Sequence, residues 1–191
     1  MIVSLIGYRG TGKTTVGMLL AERLGWRCID TDEEIQQRAG CSIRQIFERQ
    51  GETAFRDLES AVIADCVRSH RVVLSLGGGA VLRPENRQRI AVAGPVVWLM
   101  ADPAVIRQRL NADPLSWAQR PSLLAADADE SGRASVTPPS SMDEVERVLS
   151  ERLPIYDSCA DVRVSTDDKA PAAIVDAIVA ALDLQTGRGL S

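Results

Sequence analysis

The segment that most constrains the fold is the glycine-rich stretch Gly7–Thr14, which reads GYRGTGKT and has the spacing G-x-x-x-x-G-K-T. It lies between an apolar run, Ile2–Ile6, and a segment with helical periodicity, Thr15–Leu24. A buried strand, a glycine-rich turn and a helix N-terminus are the context in which a P-loop binds phosphate. In that context Lys13 reaches the β and γ phosphates, and the Thr14 hydroxyl is a ligand for Mg²⁺. The sequence therefore predicts a nucleoside triphosphate site, in preference to a chance glycine-rich turn.

The composition narrows the class of protein. A chain of 191 residues is long enough for one domain with a small lid, and a formal charge of −4 argues against nucleic acid or an anionic membrane as a partner. Four scattered cysteines and a single histidine cannot supply a zinc site or histidine-based catalysis. Free cysteines beside a nucleotide site predict a reducing, cytoplasmic compartment, and we expect no signal peptide or membrane span.

Apolar runs alternate with helical segments along the whole chain. The runs typical of buried strands are residues 2–6, 27–30, 72–76, 95–100 and 161–164. Segments with helical periodicity are residues 15–24, 33–38, 52–68, 84–92, 102–110, 142–156 and 170–182. Ser42 followed by Gln45 also predicts a capping box at the start of a helix. This alternation predicts an α/β fold with a parallel sheet and helices on both faces.

Two segments lack such periodicity. Residues 111–141 are rich in Pro, Ala, Asp and Ser and predict a mobile excursion, which we interpret as a lid. Residues 185–191 are expected to form a frayed tail.

Ligands of a parallel sheet bind beyond the carboxyl ends of its strands, where two further motifs lie. The strand at 72–76 ends in Gly77-Gly78-Gly79 and offers no carboxylate for a metal ion, which leaves Asp30 or Asp32. We expect Asp30 to face the metal and Asp32 the substrate, with the alternative that one of them caps the helix after Thr31. The three glycines allow another group to lie flat against the backbone, or mark a tight turn, and the two interpretations are compatible.

Three arginines accompany these motifs. Taken alone, Arg56 is expected to be a solvated surface residue of an amphipathic helix. Arg120 and Arg152 flank the proline-rich excursion, and an arginine in a mobile segment beside a nucleotide suggests a residue that closes over the transferring phosphate.

Taken together, these motifs resemble the shikimate kinase family, and the resemblance extends from Ile2 to about Leu182. The matching segments are the P-loop, Asp30-Thr31-Asp32, Phe47 with Gly51-Glu52 and Phe55-Arg56, Leu74–Ala80, Arg120-Pro121, and Glu151–Tyr156. The resemblance implies a nucleoside monophosphate kinase-like P-loop fold in three layers, with a five-stranded parallel sheet, helices on both faces and a mobile lid. It also implies transfer of the γ-phosphate of ATP to the 3-hydroxyl of shikimate, with Mg²⁺, on the route to chorismate and the aromatic amino acids.

The resemblance assigns roles position by position. Nucleotide binding would involve Gly10, Thr11, Gly12, Lys13, Thr14, Thr15, Arg109 on the adenine, and Arg120 as the lid arginine. Shikimate would be bound by Asp32, Arg56, Gly77, Gly78, Gly79 and Arg152, of which the two arginines pair with its carboxylate. Thr14 and Asp30 would serve the metal. The residues expected to act in catalysis are Lys13, Asp32 and Arg120.

We therefore expect a single kinase domain over residues 1–191, acting as a monomer on small molecules. Its substrate-binding region would lie at about 32–60 and its lid at about 111–141. The sequence departs from the family at two places, an insertion around Ala125–Ser141 and the bulky Tyr8-Arg9 pair in the P-loop. We expect the Arg9 side chain to face solvent. Alternative hypotheses are a related gluconate or nucleoside monophosphate kinase, and a nucleotide-binding regulator that has lost catalysis.

Overall fold

A computed structural model of the protein describes residues 1–112 and 142–184, and there the chain forms one parallel sheet. The strands lie in the order β2-β3-β1-β4-β5, and every neighbouring pair is parallel. Their bounds are β1 Ile2–Ile6, β2 Arg27–Asp30, β3 Val72–Ser75, β4 Val96–Met100 and β5 Val162–Ser165. The predicted α/β class and five-stranded parallel sheet are confirmed.

Strand β1 lies in the middle of the sheet, and both of its faces are covered by other parts of the chain. All five of its residues are buried, and side chains alternate between the two faces of a strand. Ile2 and Ile6 belong to one apolar cluster, whereas Val3 and Leu5 belong to another on the opposite face. Burial on both sides explains why β1 reads as an almost continuous apolar run.

The helices begin and end close to the predicted positions. Their bounds are α1 Lys13–Leu24, α2 Thr31–Ala39, α3 Ile43–Cys66, α4 Pro84–Ala93, α5 Pro103–Ala112, α6 Met142–Cys159 and α7 Pro171–Ala181. A short 3₁₀ helix, Ala80–Leu82, follows β3. The Ser42–Gln45 capping box is confirmed, since each side chain bonds the other residue's backbone N–H.

Two helices differ from the prediction in a way that affects the site. Helix α2 begins at Thr31, two residues early, because the Asp30 side chain caps it by accepting a hydrogen bond from Asp32 N at 3.0 Å. Helix α3 begins at Ile43 and continues through Gly51, where φ 80° and ψ 176° interrupt the helical geometry and bend it. The separate helix predicted from residue 52 is therefore the second half of a kinked one.

Part of the prediction lies outside the described residues. Residues 111–112 of the lid predicted at 111–141 form the end of α5, and the rest of that lid lies outside the described residues. The tail predicted at 185–191 also lies outside them. Within the described ranges, no helix has both the length and the apolar character needed to cross a bilayer.

The kink at Gly51 gives a prediction about stability. A side chain added at Gly51 or at Gly40 would meet no atom within 4 Å, so the two positions differ only in backbone conformation. Gly40 has φ 65° and ψ 17°, a left-handed conformation that Asn tolerates, whereas the conformation of Gly51 is one that essentially only glycine adopts. We expect Gly51→Asn to lower the free energy of unfolding by about 1–3 kcal/mol.

Gly40→Asn is the matched control. In urea denaturation, it should lower the free energy of unfolding by much less than Gly51→Asn does. Equal losses for the two variants would mean that the α3 kink does not depend on this glycine.

Candidate active site

The P-loop has the conformation that its glycines allow. Gly10 and Gly12 have φ values of 80° and 87°, and Gly12 is the N-cap of α1. The Lys13 ammonium is buried beneath the loop and donates hydrogen bonds to the carbonyls of Gly7 and Tyr8, both at 2.9 Å. The loop is thus closed around its own lysine, at the carboxyl end of the central strand.

Asp30 uses its two carboxylate oxygens for different tasks. Oδ1 caps α2, whereas Oδ2 accepts hydrogen bonds from the Thr14 hydroxyl at 2.8 Å and the Ser75 hydroxyl at 3.0 Å. The capping and metal-facing interpretations of Asp30 are therefore compatible. Ser75 is a site residue that sequence reasoning missed, because it meets Asp30 only through the pairing of β2 with β3.

Gly77–Gly79 form a surface, here called the glycine wall, against which charged side chains lie. A Cβ built on Gly77 would be 2.6 Å from Asp32 Oδ1, and the Gly77 N–H donates to the Thr31 hydroxyl at 3.0 Å. None of the three glycines has a positive φ, so absence of a side chain, not backbone freedom, is what the wall requires. Asp32 reaches it from the first turn of α2.

Arg56 is buried, with 7% of its surface exposed, so the expectation of a solvated residue is wrong. Its guanidinium donates to Glu59 at 2.8 Å and to Glu52 at 3.2 Å. The same group lies over Gly79, where a Cβ would be 2.5 Å from Nη1. The helix turns Arg56 inward because Phe55 and the carboxylates one turn away offer it partners there.

Glu59, with 1% of its surface exposed, is the second residue that sequence reasoning missed. Burial raises the pKa of its carboxyl group, and the charges of Arg56, Arg152 and Arg83 oppose that shift. Its position three residues after Arg56 on one helix is a signal that could have identified the pair.

Helix α6 contributes Arg152 and Tyr156 from the far end of the chain. Arg152 is 8% exposed, and its Nη1 donates to the Gly78 carbonyl at 3.4 Å. Tyr156 is fully buried, and its hydroxyl donates to the same carbonyl at 2.5 Å. Two buried guanidinium groups, Arg56 and Arg152, thus lie against neighbouring residues of the glycine wall.

Arg109 lies on the other side of the P-loop. Its guanidinium donates to the Thr166 hydroxyl at 2.9 Å, to the Thr166 carbonyl at 2.7 Å and to the Gly10 carbonyl at 3.3 Å. It therefore joins the phosphate loop to the segment that follows β5. Arg120, the predicted lid arginine, lies outside the described residues.

A cavity of about 410 Å³ lies beside the P-loop. The predicted site residues that line it are Gly10, Gly12, Lys13, Thr14, Thr15, Asp30, Asp32, Gly78 and Arg109. Arg56, Arg152, Gly77 and Gly79 do not line it, and Thr11 is buried beneath the loop. The residues predicted to bind the nucleotide and the metal thus share one cavity with Asp32, while the two arginines lie against the glycine wall.

The bulky P-loop pair has a structural explanation. Tyr8 is buried in an apolar cluster formed with α5 and α6. Arg9 lines the cavity with its Nε and Nη2 shielded from solvent, so the expectation that it faces solvent is wrong. Tyr8 occupies the interior because α6 returns to cover the loop.

None of the four cysteines lines the cavity. All four are free thiols, and burial together with the charges of Asp30 and Glu33 raises the pKa of Cys28 to about 11. In residues 1–112 and 142–184, no cluster of three or more His, Cys, Asp or Glu side chains could hold a metal ion. A metal ion bound at this site would therefore take most of its ligands from groups other than these side chains.

The glycine wall gives a second stability prediction. A methyl group at Gly79 would displace a guanidinium that two carboxylates hold in place, whereas at Gly78 it would meet its nearest neighbours at 3.5 Å or more. We expect Gly79→Ala to lower the free energy of unfolding by about 1–3 kcal/mol, as overpacking usually does. Gly78→Ala, the matched control, should cost much less in the same denaturant titration. If both variants lowered the free energy of unfolding equally, Arg56 would be shown to move aside without destabilising the fold.

The chain is similar to known proteins over most of its length. Residues 9–183 match a model of the family described as shikimate kinase. A shikimate kinase from Oleidesulfovibrio alaskensis is 43% identical over 173 residues, which is 91% of each chain. One from Synechococcus sp. (strain CC9605) is 42% identical over 175 residues, 92% of this chain and 79% of the relative.

A solved structure has the same fold. Shikimate kinase from Acinetobacter baumannii, in complex with shikimate, superimposes with a TM-score of 0.79 at 31% identity, covering 93% of this chain and 90% of that one. The match with the family extends from the P-loop through the last helix and includes every described site residue from Arg9 onward. The chain belongs to the shikimate kinase family.

Proposed function

We propose that this protein transfers the γ-phosphoryl group of ATP to the 3-hydroxyl of shikimate, as an enzyme of chorismate and aromatic amino-acid biosynthesis. The observation that carries the proposal is the meeting of Asp32, Arg56 and Arg152 on one glycine wall beside a P-loop. Two guanidinium groups and a carboxylate suit an acceptor that has one carboxylate and several hydroxyls. Membership of the family supports the same reaction.

On the nucleotide side, the P-loop residues Gly10–Thr15 would hold the phosphates, with Lys13 exchanging its loop carbonyls for phosphate oxygens. Arg109 would stack on the adenine, because its guanidinium lies beside the loop and is held on one edge by Thr166. The lid over 111–141, with Arg120 on the transferring phosphate, is retained from the resemblance as part of this proposal. Residues 32–60 would be the substrate-binding region of a single domain.

Mg²⁺ fits the donor set at the mouth of the loop. The Thr14 hydroxyl and an Asp30 carboxylate oxygen lie 2.8 Å apart, and Mg²⁺ in such sites takes one or two protein oxygens together with phosphates and water. Ser75 would keep the Asp30 carboxylate aimed at the loop. When bound, the ion would neutralise negative charge on the phosphates during transfer.

On the acceptor side, Arg56 and Arg152 would pair with the carboxylate, and the glycine wall would let the ring lie against the backbone. Asp32 would orient the 3-hydroxyl toward the phosphate and accept its proton as the new P–O bond forms and the bond to ADP breaks. Phosphoryl transfer depends on positioning and on charge neutralisation. Lys13, Asp32 and Arg120 are the residues proposed to act in catalysis.

The proposal also covers location and assembly. Four free thiols support the predicted reducing, cytoplasmic compartment, and a monomer remains the prediction. The alternative hypotheses have less support: a nucleotide acceptor would need a base-reading pocket, and a regulator without activity would not need Lys13, Asp30 and Asp32 together at the mouth of one cavity.

An acceptor panel tests the proposal directly. With ATP and Mg²⁺ present, release of ADP should rise far above the water background with shikimate and should stay at background with gluconate or AMP. The product should carry phosphate on the 3-hydroxyl by ³¹P and ¹H NMR. Turnover with gluconate or AMP but not with shikimate would replace the proposal with one of the alternatives.

The two aspartates should separate into acceptor and metal roles. We expect Asp32→Asn to lower kcat by about 10²–10⁴-fold, the usual contribution of a general base, with ATP affinity nearly unchanged. Asp30→Asn should raise the Mg²⁺ concentration needed for half-maximal activity, since it weakens the metal-facing carboxylate. Glu34→Gln, which alters an exposed ion pair with Arg38, is the control. Equal loss of ATP affinity in both aspartate variants would contradict the division of roles.

A further inference from the structure

Tyr156 has a buried polar contact that the proposed chemistry does not use. Only 1% of its surface is exposed, and its hydroxyl donates to the Gly78 carbonyl at 2.5 Å across 78 residues of sequence. Its ring packs on Trp98 of β4 with centroids 5.8 Å apart. Packing alone would be satisfied by phenylalanine, so the hydroxyl serves the contact with Gly78.

The same carbonyl is the acceptor for Arg152. Arg152 and Tyr156 are four residues apart on α6, a spacing that places both side chains on one face of a helix. Arg152 Nη1 reaches the Gly78 oxygen at 3.4 Å, which is the longer of the two contacts. The Tyr156 hydroxyl and the Arg152 guanidinium therefore share one acceptor, the Gly78 oxygen.

Side chains of two helices hydrogen-bond the backbone of the glycine wall. The Gly77 N–H is bound by the Thr31 hydroxyl from α2, and the Gly78 carbonyl is bound by Tyr156 from α6. Glycine has no side chain with which to anchor its own backbone, so these hydrogen bonds orient the peptide planes together with those that the Gly77 and Gly79 carbonyls accept from the N–H groups of Ala80 and Leu82. The surface proposed to receive the acceptor ring thus depends on a hydroxyl behind it.

We propose that Tyr156 is a positioning residue for the acceptor, which holds the Gly78 carbonyl and through it the Arg152 guanidinium. The inference rests on the proposed function, because it names what sets the geometry of that same acceptor site. In this role Tyr156 acts through the Gly78 carbonyl and not on the reacting atoms. Without the Tyr156 hydroxyl, the buried Gly78 carbonyl keeps the longer hydrogen bond from Arg152, and the Arg152 guanidinium can move.

The test is Tyr156→Phe, which keeps the ring on Trp98 and removes only the hydroxyl. We expect KM for shikimate to rise about tenfold, in line with the usual cost of leaving a buried acceptor poorly satisfied. KM for ATP and the slow hydrolysis of ATP without acceptor should stay within about twofold of wild type. Ser158→Ala is the control, since its exposed hydroxyl bonds the Ile155 carbonyl on the same helix and should alter neither constant.

A double-mutant cycle distinguishes positioning from general loosening of the fold. If Tyr156 acts through Gly78 and Arg152, the effect of Tyr156→Phe on KM for shikimate should shrink in an Arg152→Ala background, because coupled residues are not additive. An unchanged KM for shikimate, an equal rise in both KM values, or full additivity in the cycle would overturn the inference.

The failures of the two proposals are distinguishable. If the wild-type enzyme is active on shikimate and Tyr156→Phe has the same KM for shikimate, the role of Tyr156 is overturned and the proposed function stands. A wild-type protein without turnover on shikimate overturns both.

Discussion

The close approach of charged side chains to bare backbone at the end of β3 is the contact on which the rest of the site depends. Asp32 lies against Gly77 and Arg56 against Gly79, at separations that leave no room for a methyl group. Because the glycines have ordinary φ values, their role is to provide space. Asp32 of α2 and Arg56 of α3 can approach the segment after β3 this closely because Gly77 and Gly79 have no side chains.

That convergence places a carboxylate and two guanidinium groups in the protein interior. Glu59 is nearly inaccessible, and burial raises its pKa, so its charge depends on Arg56 and Arg152 nearby. A buried ion pair seldom stabilises a fold more than apolar packing would. In the proposed function, the pair would hold Arg56 in a defined orientation before the acceptor arrives, which would lower the cost of ordering it on binding.

Local patterns predicted what depends on neighbours in sequence. The P-loop, the strand runs and the Ser42–Gln45 capping box each follow from a few adjacent residues, and the structure confirms them. The burial of Arg56, the pairing of Ser75 with Asp30 and the contact of Tyr156 with Gly78 could not be predicted in this way. They follow from the strand order β2-β3-β1 and from the return of α6 across the sheet, which are non-local features that no single segment encodes.

The ammonium group of Lys13 also bears on how nucleotide binds. Because two loop carbonyls already accept its hydrogen bonds at 2.9 Å, the lysine is desolvated and satisfied before any phosphate is present. In the proposed function, binding of a phosphate at Lys13 would be an exchange of one set of acceptors for another, in which little water has to leave the ammonium. Selectivity for a triphosphate over a single phosphate would then arise from the number of oxygens that replace those carbonyls together, and a lone inorganic phosphate would compete poorly with the loop's own backbone.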